Sequence, residues 1–114
     1  MSYTITPEDK LLRRIIRQPQ FFKEVNGIRQ PSSAAFKMKS GEDGLSVDIL
    51  ALTTVEKAIP NAATHTGAVL PAQVPLRLSL PCVHDPIAGN EAHALIKNVT
   101  SSAAKLLAKG AVLL

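Results

Sequence analysis

The alternation of apolar and other residues between Val74 and Cys82 is the feature that most constrains the fold. Apolar side chains occupy every second position of this stretch, and residues two apart share one face of a strand. The intervening positions include Pro75 and Pro81, which cannot donate a ladder hydrogen bond and therefore favour the edge of a sheet. The pattern predicts an edge strand over residues 74–83.

Other stretches carry weaker signals of the same kind. Alternation over 45–50 and a β-rich run over 93–99 predict two further strands, and residues 101–109 predict a capped helix. A short strand over 21–25 runs into the Asn26-Gly27 turn. Short helices are expected over 31–38 and from the Thr53–Glu56 capping box to the residue before Pro60, and a loop is expected over 61–67.

The segment over 7–17 supports two interpretations. Thr6 and Pro7 are typical of a helix start, and the apolar residues that follow recur at helical spacing, which predicts a helix over 7–17. The alternative is a single helical turn followed by a strand through Leu12–Ile16, which the β-branched pair Ile15-Ile16 favours.

A chain of 114 residues, 46% of them hydrophobic, is expected to form one small domain over residues 1–114. We therefore predict an α+β fold, with a small three- to four-stranded, mostly antiparallel sheet and helices packed on one face. Aromatic residues make up only 4%, which argues against a stacking platform for single-stranded nucleic acid, and one cysteine excludes a disulfide framework. Neither a signal peptide nor a membrane span is indicated, so a cytoplasmic location is expected.

The basic residues are concentrated near the N-terminus. Residues 1–39 contain eight basic and three acidic residues, a local net charge of +5, whereas residues 40–114 are slightly acidic. Such a segment favours either a surface for phosphate, nucleic acid or an acidic protein, or a merely solvated face. The candidates for anion or partner binding are Arg13, Arg14, Arg17, Arg29, Ser32, Ser33 and Ser46.

The candidates for chemistry are His84, Asp85 and His93, which flank a loop rich in Gly and Asn between two predicted strands. Two histidines with a carboxylate can form an acid–base pair. The alternative is loop hydrogen bonding, with His93 oriented by a backbone carbonyl. No ligand spacing typical of a metal site is present, so neither a metal nor a cofactor is expected. Cys82 shares the parity of the apolar positions before it and is expected to point into the core.

Several short motifs resemble a family of small, uncharacterised bacterial proteins. The motifs are Arg14-Ile15, Pro31-Ser32-Ser33 with Phe36, Gly44–Asp48, His84-Asp85-Pro86 and Glu91–Ile96. The resemblance implies a bacterial cytoplasmic protein from a defence or mobile gene cassette, with a partner encoded nearby, and it implies no activity. Arg14 and Ser46 are also similar to an arrangement in small toxins that transfer or cleave ADP-ribose, with an arginine on an early strand and a serine on the next.

These observations leave three hypotheses of function. The first is a non-enzymatic interaction protein or accessory subunit with a protein partner, and a homo-oligomer is compatible with it. The second is a small enzyme that uses His84, Asp85 and His93 with Arg14 and Ser46. It requires these side chains to meet within hydrogen-bond distance around one pocket. The third is a nucleic-acid-binding domain that uses the basic N-terminal segment.

Overall fold

The computed structural model describes residues 3–114 and is dominated by strands. A six-stranded antiparallel sheet has the order β6-β7-β4-β1-β5-β8, and β2 and β3 form a separate hairpin. The strands are β1 (Lys10–Ile16), β2 (Phe22–Val25), β3 (Ile28–Pro31), β4 (Leu45–Ile49), β5 (His65–Pro71), β6 (Cys82–His84), β7 (His93–Ile96) and β8 (Val112–Leu113). The helices are α1 (Val55–Ala58), α2 (Gln73–Arg77) and α3 (Ser101–Gly110), with short 3-10 turns at Pro19–Phe21, Ser33–Phe36 and Leu50–Leu52.

The main core lies on the face of the sheet that α3 covers, which we call the inner face. Leu107 of α3 and Phe36 of the 33–36 turn are fully buried against this face. The strand residues of this core alternate along each strand, as expected for a sheet with one packed face. They are Leu11, Ile15, Leu45, Val47, Ile49, Ala68, Leu70, Ala94 and Ile96.

The opposite face, which we call the outer face, is only partly covered. Helix α1 and the residue after it pack Ala58 and Ile59 on Leu12, which forms a second, smaller cluster of buried residues. Beside this cluster β4 presents polar side chains to the outer face, because the residues that alternate with its core positions are Ser46 and Asp48. The fold therefore leaves a polar surface beside α1.

The structure corrects the predicted fold class. The main sheet has six strands and the hairpin adds two, in place of three or four, and the helices do not all pack on one face, because α1 lies on the outer face. Two strands account for much of the difference. β5 begins within the predicted loop over 61–67 and continues to Pro71. β1 occupies the predicted helix over 7–17, so the alternative of a strand through Leu12–Ile16 is the correct one.

The predicted strand over 74–83 is wrong for most of its length. Residues 73–77 form α2, and only Cys82–His84 pairs as a strand, at one edge of the sheet. Pro75 fits a short helix because it lies in the first turn, where no intrahelical partner for its missing N–H is needed. The helix over 31–38 is reduced to the 3-10 turn at Ser33–Phe36. The structure confirms, to within a few residues, the strand over 45–50, the start of the strand over 93–99, the strand over 21–25 with its Asn26-Gly27 turn, the short helix before Pro60 and the final helix. The partner strand β3 was not predicted.

Candidate functional site

A polar groove of about 280 Å³ lies on the outer face between β1, β4 and the loop that joins β6 to β7. We call it the outer groove. Because Leu12 pairs with Asp48 and Asp48 pairs with His93, the three strands present their outer-face side chains to the same space. It is lined by Leu12, Arg13, Arg14, Ser46, Val47, Asp48, Ile87, Asn90 and His93.

His93 connects the strand to the loop at one wall of this groove. Its Nδ1 lies 2.8 Å from the main-chain oxygen of Asp85 and 3.2 Å from the Oδ2 of the same residue. Both of these oxygens are acceptors, so Nδ1 carries the proton and donates it. In the neutral ring Nε2 is then an acceptor, and it lies 3.2 Å from the hydroxyl of Ser46. The Ser46 hydroxyl therefore donates to His93, and Ser46, His93 and Asp85 form a continuous relay.

The relay is accessible from the groove. The His93 side chain is 14% exposed and that of Asp85 is 47% exposed. Ser46 is half-buried as the second residue of β4, where the flanking core residues Leu45 and Val47 fix the direction of its side chain. A hydroxyl held by a histidine whose second nitrogen faces a carboxylate is the arrangement that activates a serine nucleophile or withdraws a proton from a bound hydroxyl.

Asp48 and Asn90 form the other polar wall of the groove. Asn90 Nδ2 donates to Asp48 Oδ1 at 2.7 Å, and the Asn90 side-chain oxygen accepts the N–H of Ala92 at 3.1 Å. The tight turn at Ala88-Gly89, where Gly89 has a φ of 80°, returns the chain so that Asn90 faces β4. Sequence reasoning missed both residues. The signal for Asp48 was available, because it shares the parity of Ser46 within an apolar strand.

Arg14 is the exposed cation of the groove. It follows Arg13 on β1, so the two guanidinium groups leave the strand on opposite faces. Among residues 3–114, no salt bridge or side-chain hydrogen bond engages Arg14. It also lines a neighbouring groove of about 290 Å³, which we call the basic groove and which contains Lys37, Lys39 and His65. A second space of about 400 Å³, lined by Arg14 and Asp48 with Lys57 and Glu91, adjoins the outer groove on its other side.

Arg13 has a structural position. Its Nε donates to the Ala35 carbonyl at 2.8 Å and its Nη1 donates to the Ser46 carbonyl at 2.9 Å, so it joins β1, β4 and the 33–36 turn. Burial lowers the pKa of the Arg13 guanidinium, with a smaller lowering from Arg14 and an opposing contribution from Glu42. The Arg13 side chain thus fixes the main chain of Ser46 from the face opposite the relay.

The structure does not bring His84 to the relay. His84 pairs with Ala94, a core residue, and so leaves β6 on the inner face. Its Nδ1 accepts the N–H of Tyr3 at 2.8 Å, and its Nε2–H donates to the Glu91 carbonyl at 2.6 Å. Both nitrogens are occupied by main-chain groups, and His84 therefore anchors the start of the described chain. Of the three residues predicted for chemistry, Asp85 and His93 meet, and the backbone carbonyl predicted to orient His93 is that of Asp85.

The other predicted anion-binding residues are dispersed. Arg17 donates from Nε to the Ala62 carbonyl at 2.8 Å, and Arg29 lies over the Phe22 ring on the hairpin, 4.3 Å from its centroid. The Ser32 hydroxyl donates to the Gln20 carbonyl at 2.6 Å and makes no cap to the turn that follows, which Ser33 begins. From this set the structure therefore brings Arg13, Arg14 and Ser46 to the outer groove, and Arg13 is already engaged by main-chain carbonyls.

Comparison with known proteins adds no assignment: no family model, curated protein or solved structure matches the chain. The resemblance to small bacterial proteins accordingly stays a prediction. Within residues 3–114, no helix is long and apolar enough to cross a bilayer, and no three His, Cys, Asp or Glu side chains meet in the manner of a metal site. The account of function rests on the geometry of the outer groove.

Proposed function

We propose that the protein is a small enzyme that binds a phosphate-bearing substrate in the outer groove and acts on it through Ser46, His93 and Asp85. The observation that carries the proposal is the continuous relay, with 3.2 Å from Ser46 Oγ to His93 Nε2 and 3.2 Å from His93 Nδ1 to Asp85 Oδ2. A serine on a strand and an acceptor histidine on its neighbour are typical of a site for proton transfer or nucleophilic attack.

The charge of the basic groove, on one side of the outer groove, favours an anionic substrate. Arg14 lies between the relay and the basic groove, which has Lys37 and Lys39 and no acidic residue among its lining residues. Guanidinium and ammonium groups bind phosphate oxygens through charge-assisted hydrogen bonds. A substrate with its phosphate on Arg14 would have its adjoining part beside Ser46. The same pairing of Arg14 with Ser46 makes nucleotides of the ADP-ribose type the first substrates to test.

A binding measurement tests the anion site. Calorimetric titration with NAD⁺ and with ADP-ribose is expected to give saturable binding, and titration with adenosine, which lacks phosphate, is expected to give none. Arg14→Ala is expected to weaken binding by about tenfold or more, the usual cost of one charge-assisted pair. Arg17→Ala removes an exposed arginine just beyond the same strand and should leave binding within about twofold. Absent binding of both nucleotides, or an equal loss in the two variants, contradicts the anion site.

A turnover measurement tests the relay. Incubation with each nucleotide that binds, followed by chromatographic analysis, is expected to yield product with the native chain. Ser46→Ala and His93→Gln should lower the rate by about a hundredfold or more while leaving binding within a few fold, because the relay acts on reaction more than on affinity. Unchanged turnover in both variants would exclude the relay as the reactive centre.

The remaining sequence-based hypotheses stay predictions. They are a non-enzymatic accessory subunit, a nucleic-acid-binding domain, and a bacterial cytoplasmic origin in a defence or mobile cassette.

A further inference from the structure

A further groove lies between the β2–β3 hairpin and α3. It has a volume of about 690 Å³ and shares no lining residue with the outer groove. We call it the docking groove. It is lined by Lys23, Val25, Gln30, Ser32, Ser33, Lys105, Leu106, Ala108 and Lys109.

Apolar side chains are exposed along this groove. Leu106 is 47% exposed on α3, and Val25 is 39% exposed on the hairpin opposite it. Leu106 and Lys109 also line a shallow apolar hollow with Val74 and Leu78, which extends the surface toward α2. Leucine on the solvent side of a helix that already buries Ala104 and Leu107 does not contribute to the core. A contiguous apolar strip with polar edges is typical of a surface that receives a partner.

The charges along the strip have one sign. Lys23, Lys105 and Lys109 line the docking groove, and Arg77 lines the adjoining hollow. Neither lining set contains an acidic residue. A partner with carboxylates at its edges can pair with these cationic groups. The lysine stems can also pack on apolar side chains while their ammonium groups meet the carboxylates.

A second copy of this chain is a poor occupant. The acidic residues of the chain are dispersed, and Asp9, Asp48 and Asp85 are engaged by Tyr3, Asn90 and His93 in turn. The chain contains no segment that combines several acidic with several apolar residues at helical spacing. The occupant is therefore expected to come from a different protein.

From these observations we propose that the docking groove binds an acidic amphipathic segment of a partner protein, with apolar side chains on Leu106 and Val25 and carboxylates on Lys23, Lys105 and Lys109. This surface is separate from the outer groove, so the proposal does not depend on the proposed enzymatic function. An enzyme could use such a surface to be held beside its partner, and a non-enzymatic accessory protein could use it as its only site.

Binding of a model segment tests the proposal. The probe is a fluorescein-labelled peptide of about 18 residues with leucines at every third or fourth position and glutamates between them, the pattern of a helix that enters a groove. Lys105→Glu with Lys109→Glu is expected to weaken binding by at least about tenfold, and Leu106→Ser by about fivefold. The charge-matched control, Lys10→Glu with Lys57→Glu, should change binding by less than about twofold. Circular dichroism verifies that each variant is folded.

Amide NMR shifts of the full chain locate the bound peptide. Shifts concentrated at Val25, Lys105, Leu106 and Lys109 support the proposal. The proposal would be overturned if the peptide did not bind, or if the shifts were centred on Arg14, which would place the peptide elsewhere. It would also be overturned if the control pair weakened binding equally, because binding would then be nonspecific. Sedimentation that shows a dimer abolished by Leu106→Ser would also overturn it, by making a second copy the occupant.

Discussion

The two histidines next to the 85–92 loop differ in role because of the main-chain groups around each ring. His84 receives an N–H at Nδ1, so its proton lies on Nε2, whereas His93 faces two oxygens at Nδ1 and has its acceptor at Nε2. Only the second arrangement leaves a nitrogen free to accept from Ser46. The sequence indicated both histidines as candidates for chemistry. It could not distinguish their roles, because the register of β6 and β7 determines the face of the sheet on which each ring lies.

Replacement of Arg13 tests the structural role of that side chain. Lysine has a single ammonium group and cannot bridge the Ala35 and Ser46 carbonyls as the planar guanidinium does. We expect Arg13→Lys to lower the free energy of unfolding by about 1.5–3 kcal/mol, the usual contribution of a hydrogen bond to a charged group. Arg17→Lys, at an exposed site, should lower it by less than about 0.5 kcal/mol. Urea unfolding measures both, and equal small losses would show that Arg13 does not join the strands.

The partly buried thiol of Cys82 predicts that both the stability of the fold and the rate of thiol alkylation depend on pH. Burial raises the pKa of its thiol to about 11, from an ordinary value of 9.0. The folded state therefore favours the protonated thiol, and this contribution to stability is complete below pH 9 and is lost as the pH rises toward about 11. Alkylation by iodoacetamide should be slow at pH 8 and should accelerate up to about pH 11. A rate that levels off near pH 9 would contradict the raised pKa.

At the scale of elements, α3 depends on its cap. Thr100 Oγ1 accepts the N–H of Ala103 at 3.1 Å, which satisfies one of the free donors in the first turn. Thr100→Ala is expected to cost about 1 kcal/mol and to lower Tm by roughly 3–6 °C, and Thr100→Ser should retain most of the stability. Ser101→Ala, one position later and exposed, serves as the control. Thermal unfolding with the same Tm in Thr100→Ala and Ser101→Ala would show that the cap is dispensable.

The sequence predicted best those elements that have one buried face or an explicit cap. β4 and α3 are of this kind, and each was located within about one residue. The helix predicted over 7–17 was wrong because β1 is a central strand with buried residues on both faces, Leu11 and Ile15 on the inner face and Leu12 on the outer face. Apolar residues then occupy both parities, and their spacing fits a helix as well as a strand.

The predicted edge strand over 74–83 was wrong for a different reason. Val74 in α2 and Leu78, the residue that follows α2, are four apart and line one hollow with Leu106 of α3, while Pro75 between them is fully buried. The same positions satisfy a two-residue repeat by coincidence. β5 was missed because small residues such as Gly67 and Ala68 carry little hydrophobic signal, although this strand pairs with β1 along its whole length. Whether these segments form strands depends on pairing with residues that are distant in the sequence, which a local pattern does not contain.

At the scale of the whole molecule, Phe36 joins the 33–36 turn to the core below α3. It is fully buried, and its removal would leave a large cavity. Phe36→Ala is expected to lower the free energy of unfolding by about 3–5 kcal/mol, a large part of the total for a domain of this size. Ile28→Ala, at a position that is 64% exposed, should cost less than about 0.5 kcal/mol. Denaturant unfolding with similar midpoints for both variants would contradict the assignment of the core.

The fold separates a polar groove from an apolar, lysine-edged groove by a shared sheet and core. The outer face presents the relay with Arg14, and the inner side presents the docking groove on α3 and the hairpin. The candidate site was only partly predictable, because Ser46, Asp85 and His93 come from two strands and a loop whose pairing places them together. Asp48 and Asn90 complete that site through a hydrogen bond between residues 42 positions apart in the sequence, which no local pattern contains.

The protonation of the two histidines is the most direct test of the central claim, that the folded chain holds His93 as an acceptor for Ser46. Two-bond proton–nitrogen NMR correlations on the native protein near pH 8 identify the protonated nitrogen of each neutral ring. We predict the Nδ1–H form for His93 and the Nε2–H form for His84, with the His93 signals changed by Ser46→Ala and those of His84 unchanged. An Nε2–H form of His93, or a His93 ring that does not respond to Ser46→Ala, would contradict the relay.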